Sequence, residues 1–162
     1  MERAIVIGCP GGGKSTFARA LAEKTGLPLH HLDMMYWNAD KTIMERELFL
    51  SRLASAMETP RWIIDGNFFS TMEERIAACD TVFFLDYPRE VCLAGVEGRM
   101  GKPRADMPWV ETEWDVEFKQ YIEDFEVLRR PKILALLEKH TEKQIYIFRT
   151  REEAGEFIEV MK

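Results

Sequence analysis

Five short apolar runs recur along the chain, and none of them contains Asp, Glu, Lys or Arg. They cover residues 4–7, 29–32, 62–64, 82–85 and 145–148. Uncharged runs of this length are typical of strands that are buried on both faces, as in a parallel sheet. The pattern therefore predicts five strands of one parallel sheet.

The segments between these runs carry apolar residues at helical spacing, and local signals mark their ends. Three S/T-x-x-E pairs predict helix starts, because the hydroxyl and the carboxylate satisfy free amides of a first turn. Pro88 suits the first position of a helix with Asp86 as its cap, and Gly26 suits the end of a helix from Lys14. The three pairs are Thr42 with Glu45, Ser70 with Glu73, and Thr150 with Glu153.

Strand and helix alternate five times, which indicates a three-layer α/β domain with right-handed crossovers. No repeat, low-complexity stretch or flexible linker interrupts residues 1–162, so we expect a single domain. One region lacks a strand: residues 101–110 contain two prolines and predict a loop, and the apolar positions of 114–128 recur at helical spacing. We interpret 99–113 as a lid and the helical stripe after it as core packing.

Composition narrows the function. The chain has 22 Lys and Arg against 28 Asp and Glu, a net charge of −6, which argues against general binding to nucleic acids or anionic membranes. A local basic patch for phosphates stays possible. The longest apolar run covers 133–137, far short of the roughly 20 residues that span a membrane. With no secretory signal at the N-terminus, we expect a cytoplasmic protein.

The cysteines also fit the cytoplasm. Cys9, Cys79 and Cys92 are odd in number and lack CxxC spacing, so we expect reduced, buried thiols rather than disulfides or a zinc site. Cys9 is the exception, because a helix N-terminus beside it would stabilise its thiolate.

The strongest chemical signal is GCPGGGKST at residues 8–16, between the first strand and a helix. It matches the phosphate-loop pattern G-x-x-x-x-G-K-[ST], for which a plain glycine turn is the alternative. Glycines let backbone amides converge on phosphate oxygens at a helix N-terminus. Lys14 would reach the β and γ phosphates, Ser15 would bind Mg²⁺ and Thr16 the α phosphate region. The predicted nucleotide-binding residues here are Gly8, Pro10, Gly11, Gly12, Gly13, Lys14, Ser15 and Thr16.

Acidic residues follow three of the predicted strands. Asp65 and Asp86 each suit a carboxylate that holds metal-bound water, and we favour Asp65 because Asp86 has the capping role. His30, His31 and Asp33 form an HHxD cluster, which allows a zinc site, although packed structural histidines are more common. Asp33 is a candidate for holding a substrate hydroxyl or metal-bound water.

Two groups of cations complete the set of candidates. Arg99, Lys102 and Arg104 lie within six residues at the start of the lid, either as a solvated cluster or as lid groups over transferring phosphates. Arg129 and Arg130 precede Pro131, and they suit either a further phosphate clamp or the C-terminal charges of a helix. We favour the helix terminus for this second pair.

Taken in order, LPLHHLDMMYW, RWIIDGNF, DTVFFLDYP, GKPRADM and RRPKILALLEKH resemble the bacterial DNA topology modulation proteins, relatives of adenylate kinase. The resemblance covers nearly the whole chain. It implies a P-loop NTPase fold with strand order 2-3-1-4-5, an acceptor-binding region at about 33–58 and a helical lid. It also implies that Asp65 orders Mg²⁺, that Arg99 and Arg104 grip donor phosphates, and that the base rests near Arg149 and Thr150.

One stretch differs from these relatives. AGVEGRM, before the lid, has Gly95, Glu97 and Gly98 where they carry more arginine. Residues and resemblance together predict a phosphotransferase that uses ATP and Mg²⁺ on a small acceptor. Asp33, Tyr36, Trp37 and Asn67 suggest a pocket for a nucleoside, nucleotide or sugar-like molecule. An ATP-binding regulator with little turnover and a simple NTPase are the alternatives.

Overall fold

A computed structural model of the chain describes residues 1–161. Its five strands form one parallel sheet in the order β2-β3-β1-β4-β5, which confirms the predicted fold class and strand order. The strands are β1 Arg3–Gly8, β2 Leu29–His31, β3 Trp62–Asp65, β4 Thr81–Leu85 and β5 Gln144–Phe148. Each apolar run of the sequence therefore lies in or overlaps one strand.

Eight α-helices and one π-helical turn connect and cover these strands within the described residues. They are α1 Lys14–Thr25, α2 Leu32–Tyr36, α3 Arg46–Glu58, α4 Phe69–Ala78, α5 Arg89–Arg99, α6 Val116–Asp124, the π turn Phe125–Arg129, α7 Arg130–Lys139 and α8 Arg151–Val160. None of the helices in residues 1–161 combines the length and apolar character needed to cross a membrane. Helices α6 and α7, joined by the π turn, fill the predicted strand-free region.

Burial differs between the centre and the edges of the sheet. Strands β3 and β4 are buried along their whole length, and β1 is buried from Ala4 to Gly8. Strands β2 and β5 remain partly exposed, so the prediction of burial on both faces is wrong for them. They are the two edge strands, and each has a neighbour on one side only.

Helix ends follow the predicted signals in part. Thr150 accepts a hydrogen bond from the Glu153 amide at the start of α8, and Gly26 ends α1, as expected. The other two predicted caps are wrong. Thr42 binds Asp40 in a turn, and α3 begins only at Arg46. Ser70 lies inside the first turn of α4, which begins at Phe69.

The residues around Pro88 also differ from the prediction. Pro88 precedes α5 as its N-cap residue, so the helix begins one residue later than expected. Asp86 does not cap this helix. Its buried carboxylate accepts one bifurcated hydrogen bond from Arg130 Nε, with its two oxygens at 2.8 and 3.0 Å, and also contacts Arg149. Because the carboxylate lies between two guanidinium groups, it is not free to cap α5.

The chain remains helical through Pro131, contrary to the prediction of a helix end before it. Arg129 and Arg130 do not end a helix, because the chain continues from α6 through the π turn into α7, and that prediction is wrong. The Arg130 amide donates to the Phe125 carbonyl, which is the i to i−5 bond of a π turn. Pro131 lacks an amide hydrogen and interrupts the regular ladder, so the turn widens instead of breaking.

Candidate functional site

The phosphate-loop sequence forms a tight turn between β1 and α1. Gly11 and Gly13 have φ angles of 81° and 88°, a region that only glycine adopts without strain. The amides of Lys14, Ser15 and Thr16 begin α1 and have no acceptor among the described residues. Three free donors at a helix N-terminus suit an anion such as phosphate.

Helix α5 packs directly on this loop without intervening side chains. A Cβ on Gly95 would lie 2.0 Å from the Gly11 carbonyl oxygen, and one on Gly11 would lie 2.0 Å from the carbonyl oxygen of Cys92. The glycine that looked out of place before the lid is therefore required by the close approach of two backbones. Neither periodicity nor the phosphate-loop motif signals this contact.

Arg151, the first residue of α8, also reaches the loop. Its Nη2 donates to the Gly11 carbonyl at 3.0 Å, and its guanidinium lies 5.8 Å from the ring of Tyr87. The family resemblance implies Arg149 and Thr150 at this place and does not point to Arg151. Arg149 is more than half exposed and pairs with Asp86, so its contact with a nucleotide stays a prediction.

Lys14 lies at the base of the loop. Its ammonium donates to the carbonyls of Gly8 at 2.9 Å and Cys9 at 3.3 Å. Burial lowers the pKa of Lys14, and the nearby carboxylates of Asp33 and Asp65 oppose this shift. The two carbonyls hold the ammonium at the base of the loop.

Two carboxylates from neighbouring strand ends share the cleft with Lys14. Asp65 is 4% exposed, and its Oδ2 lies 2.9 Å from His31 Nδ1. Burial by itself would lower the pKa of His31, but the hydrogen bond and charge of Asp65 raise it above the ordinary value. His31 thus orients Asp65, while no three His, Cys, Asp or Glu side chains of residues 1–161 are placed to hold a zinc ion.

Asp33 follows β2 on the short helix α2. Burial raises its pKa to about 6; Lys14 opposes this shift, while Asp65 and Asp106 add to it. A carboxyl group with such a pKa is ionised at neutral pH and remains a good proton acceptor. Asp86, by contrast, does not line this cleft. This placement supports the choice of Asp65 over Asp86, although metal binding itself stays a prediction.

The lid arginines line the same cleft and are held by carboxylates of the lid itself. Arg99 pairs with Glu111, and Arg104 pairs with both Glu111 and Asp106. Lys102, the third predicted cation, is exposed and does not line the cleft. The sequence did not single out Glu111, because one acidic residue in a loop usually lies in solvent.

Several aromatic rings line the same cleft as the phosphate loop. Tyr36 contacts Phe68 with ring centroids 4.8 Å apart, and Trp37 meets Trp109 of the lid edge-on at 5.6 Å. Lys41 lies over the ring of Trp109 at 5.2 Å. The predicted acceptor region and the predicted lid therefore touch each other through aromatic contacts.

Asn67 lines the cleft together with the other predicted pocket residues, and it also contacts the phosphate loop. Its side-chain amide binds the backbone of Gly8, accepting from the amide at 3.0 Å and donating to the carbonyl at 2.6 Å. Arg75 of α4 holds the loop on which Asn67 lies and is itself fully buried. A single arginine on a helix gave no sequence signal of such burial.

Arg129 is the last residue of the π turn. Its guanidinium lies 4.4 Å from the ring of Tyr121, and both residues line the cleft. A position in the cleft suits the phosphate-clamp alternative better than the helix terminus that we favoured. Arg130, one residue on, points to Asp86 instead.

Cys9 is not the reactive thiolate that its position suggested. It is 3% exposed, and its thiol lies against Cys92. The hydrogen bond with Cys92 and burial both raise the pKa of the Cys9 thiol, so it is protonated at neutral pH. The expectation of buried, reduced cysteines is confirmed for all three.

Solved shikimate kinases have a similar fold. The enzyme from Bacteroides thetaiotaomicron superposes with a TM-score of 0.59 at 20% sequence identity, over 98% of this chain and 94% of that one. The enzyme from Acinetobacter baumannii, solved in complex with shikimate, gives 0.62 and 17% over 99% and 92%. No protein-family model and no curated protein matches the sequence, so the resemblance to topology modulation proteins stays a prediction. At these identities the likeness confirms the predicted P-loop NTPase fold and no more.

Proposed function

We propose that this chain is a phosphotransferase that uses ATP and Mg²⁺ to phosphorylate a small molecule. One observation carries the proposal: the phosphate loop, the carboxylate of Asp33 and a group of aromatic side chains line one cleft. A simple NTPase needs the loop and a water site, but it has no use for an aromatic surface beside them. The shikimate kinase fold supports the same choice.

The nucleotide side of the cleft would hold the phosphates. The free amides of Lys14, Ser15 and Thr16 bind phosphate oxygens, and the Lys14 ammonium neutralises charge as it develops. Mg²⁺ would bind the hydroxyl of Ser15 and water held by Asp65, and it would offset the charge of the transferred group. Hydroxyl and carboxylate oxygens are the donors that this ion prefers, so the residues present fit it.

The acceptor side would orient a hydroxyl group and remove its proton. Asp33 accepts that proton, and its raised pKa suits a general base. Tyr36, Trp37 and Trp109 supply an apolar surface that excludes water from the reacting oxygen. Because the lid carries Trp109 as well as Arg99 and Arg104, its closure would bring acceptor and phosphates together.

The acceptor is tested by measuring ADP formation with a panel of compounds. Shikimate comes first, because the structural neighbours are named for it, followed by nucleosides, nucleotides and sugars. A compound that accelerates ADP formation and is itself phosphorylated supports the proposal. Hydrolysis that no acceptor changes would favour a simple NTPase, and binding without turnover would favour the regulator.

Nucleotide binding has a simpler test. At 100 times its dissociation constant, a ligand adds about 2.7 kcal/mol, which raises the melting temperature of a domain of this size by about 5–10 °C. Lys14→Ala should abolish most of the shift with MgATP. Lys24→Ala is the matched control, because Lys24 is an exposed lysine in the last turn of the same helix. An equal shift in both variants would refute the phosphate-loop assignment.

A further inference from the structure

The side chain of Asn67 extends the central sheet beyond the end of a strand. Strands β1 and β3 pair as far as Val6 and Asp65, and the Gly66 amide then donates to the Val6 carbonyl at 3.0 Å. Beyond this bond, no backbone group of the described residues pairs with Gly8 on the β3 side. The Asn67 carboxamide takes the place of such a group, because it accepts from the Gly8 amide at 3.0 Å and donates to the Gly8 carbonyl at 2.6 Å.

Gly8 is the point at which the phosphate loop leaves the sheet. Its other edge pairs with Leu85 of β4, so the Asn67 carboxamide closes the remaining side. The Gly8 carbonyl also accepts from Lys14 Nζ at 2.9 Å. A shift of this carbonyl would therefore move both the loop and its catalytic cation.

Arg75 fixes the position of Asn67 from behind. Its guanidinium is fully buried and donates to the carbonyls of Gly66 at 2.9 Å, Asn67 and Phe68 at 3.3 Å. It also donates to the Thr71 hydroxyl at 3.2 Å, and none of the carboxylates of residues 1–161 forms an ion pair with it. Burial lowers the pKa of Arg75 to about 10.

A buried cation without a counter-ion is costly and needs a structural reason. Here the reason is that the three carbonyls of the loop after β3 accept hydrogen bonds from the guanidinium, because backbone carbonyls away from water also need donors. Phe68 has a φ of 38°, a strained value for a residue with a side chain, and its carbonyl is one of the three. The loop keeps this shape because Arg75 binds it.

We propose that Asn67 and Arg75 are positioning residues for the phosphate loop: Arg75 sets the loop after β3, and Asn67 fixes Gly8 and thereby Lys14. The inference rests on the proposed binding of nucleotide by that loop. It gives Asn67, which lines the cleft, a further part in holding the donor side of the reaction.

The test is Asn67→Ala, measured by MgATP affinity at a temperature well below the melting point. Loss of both bonds to Gly8 should weaken the affinity about tenfold, the equivalent of one or two buried hydrogen bonds. Hydrogen exchange at the Gly8 amide should accelerate, while the amides of β4 keep their protection. Asn67→Asp keeps the acceptor for the Gly8 amide, so it should retain slow exchange there and still lose affinity.

A second variant separates positioning from stability. Ile76→Val removes one buried methylene from α4, the same helix that carries Arg75, and lowers stability without touching the loop. It should leave MgATP affinity unchanged, whereas Arg75→Lys, which loses the planar fork, should weaken it.

Each result decides the matter. Weaker binding in the Asn67 and Arg75 variants, with normal binding in Ile76→Val, supports the inference. Unchanged affinity in Asn67→Ala, or an equal loss in Ile76→Val, overturns it while the wild type still binds MgATP. If the wild type itself fails to bind MgATP, the proposed function fails, and the inference fails with it.

Discussion

The carboxylate of Glu111 holds the guanidinium of Arg99 at two points, with Oε2 3.2 Å from Nε and Oε1 3.0 Å from Nη2. The same Oε1 lies 2.9 Å from Arg104 Nη2, and the Glu111 side chain is only 9% exposed. A phosphate would use these same guanidinium donors. Glu111 therefore pairs with both lid arginines, and under the proposed function a nucleotide would have to compete with it for them.

Glu111→Gln should strengthen the binding of MgATP about fivefold, because a neutral amide releases the arginines more easily than a carboxylate does. The same change should lower the free energy of unfolding by about 1–3 kcal/mol, since a partly buried ion pair is lost. Calorimetric titration and urea unfolding measure the two effects. Weaker nucleotide binding in this variant would show that Glu111 supports the binding state of the lid.

Gly95→Ala should impair nucleotide binding, because the new Cβ would lie 2.0 Å from the Gly11 carbonyl oxygen. We expect a loss of stability of about 1–3 kcal/mol from overpacking, together with a displaced loop. Gly98→Ala is the control, since no atom lies within 4 Å of its added Cβ on the same helix. It should stabilise the protein by about 0.5–1 kcal/mol and leave binding unchanged.

Asp33→Asn should stabilise the fold at neutral pH while it abolishes transfer. The folded state raises the pKa of Asp33 from 3.8 to about 6, so the ionised carboxyl destabilises the native protein as pH rises through this range. The variant should therefore be more stable than the wild type by about 3 kcal/mol above about pH 7, and equally stable below about pH 4. Urea unfolding at several pH values measures the difference. A constant difference across the range would show that Asp33 does not titrate as described.

The three cysteines should resist alkylation in the folded protein. Each is at most 3% exposed, and the hydrogen bond with Cys92 and burial raise the pKa of Cys9. The same hydrogen bond lowers the pKa of Cys92, so burial alone protects that thiol. Labelling by iodoacetamide at neutral pH should be at least about tenfold slower than in urea, for all three thiols. Mass spectrometry of peptides identifies each site, and rapid native labelling of Cys9 would restore its interpretation as a thiolate.

The alternation of strands and helices could be predicted because it depends on local periodicity. The end of α1 at Gly26 and the start of α8 at Thr150 were also predictable, since a few neighbouring residues determine them. Thr42 fits the same S/T-x-x-E pattern, yet its hydroxyl binds Asp40, which competes for the same group. Local patterns fail where a second local partner is available.

The phosphate loop was predictable in the same way, because its motif is continuous in the sequence. The hydrogen bonds between Asn67 and Gly8 join residues that are 59 positions apart. Arg75 and Glu111 act through contacts that only the packed chain creates, and their neighbours in sequence resemble ordinary surface positions. The residues that orient the candidate site are thus the part that sequence reasoning misses.

The π turn at Phe125–Arg129 has a consequence for how the length of the chain can vary. A π turn contains about one residue more than an α turn, so one extra residue is accommodated here with little change in the rotational phase between α6 and α7. Deletion of one residue of the π turn would therefore leave α6 with nearly the same face toward the core and keep Tyr121 in the cleft.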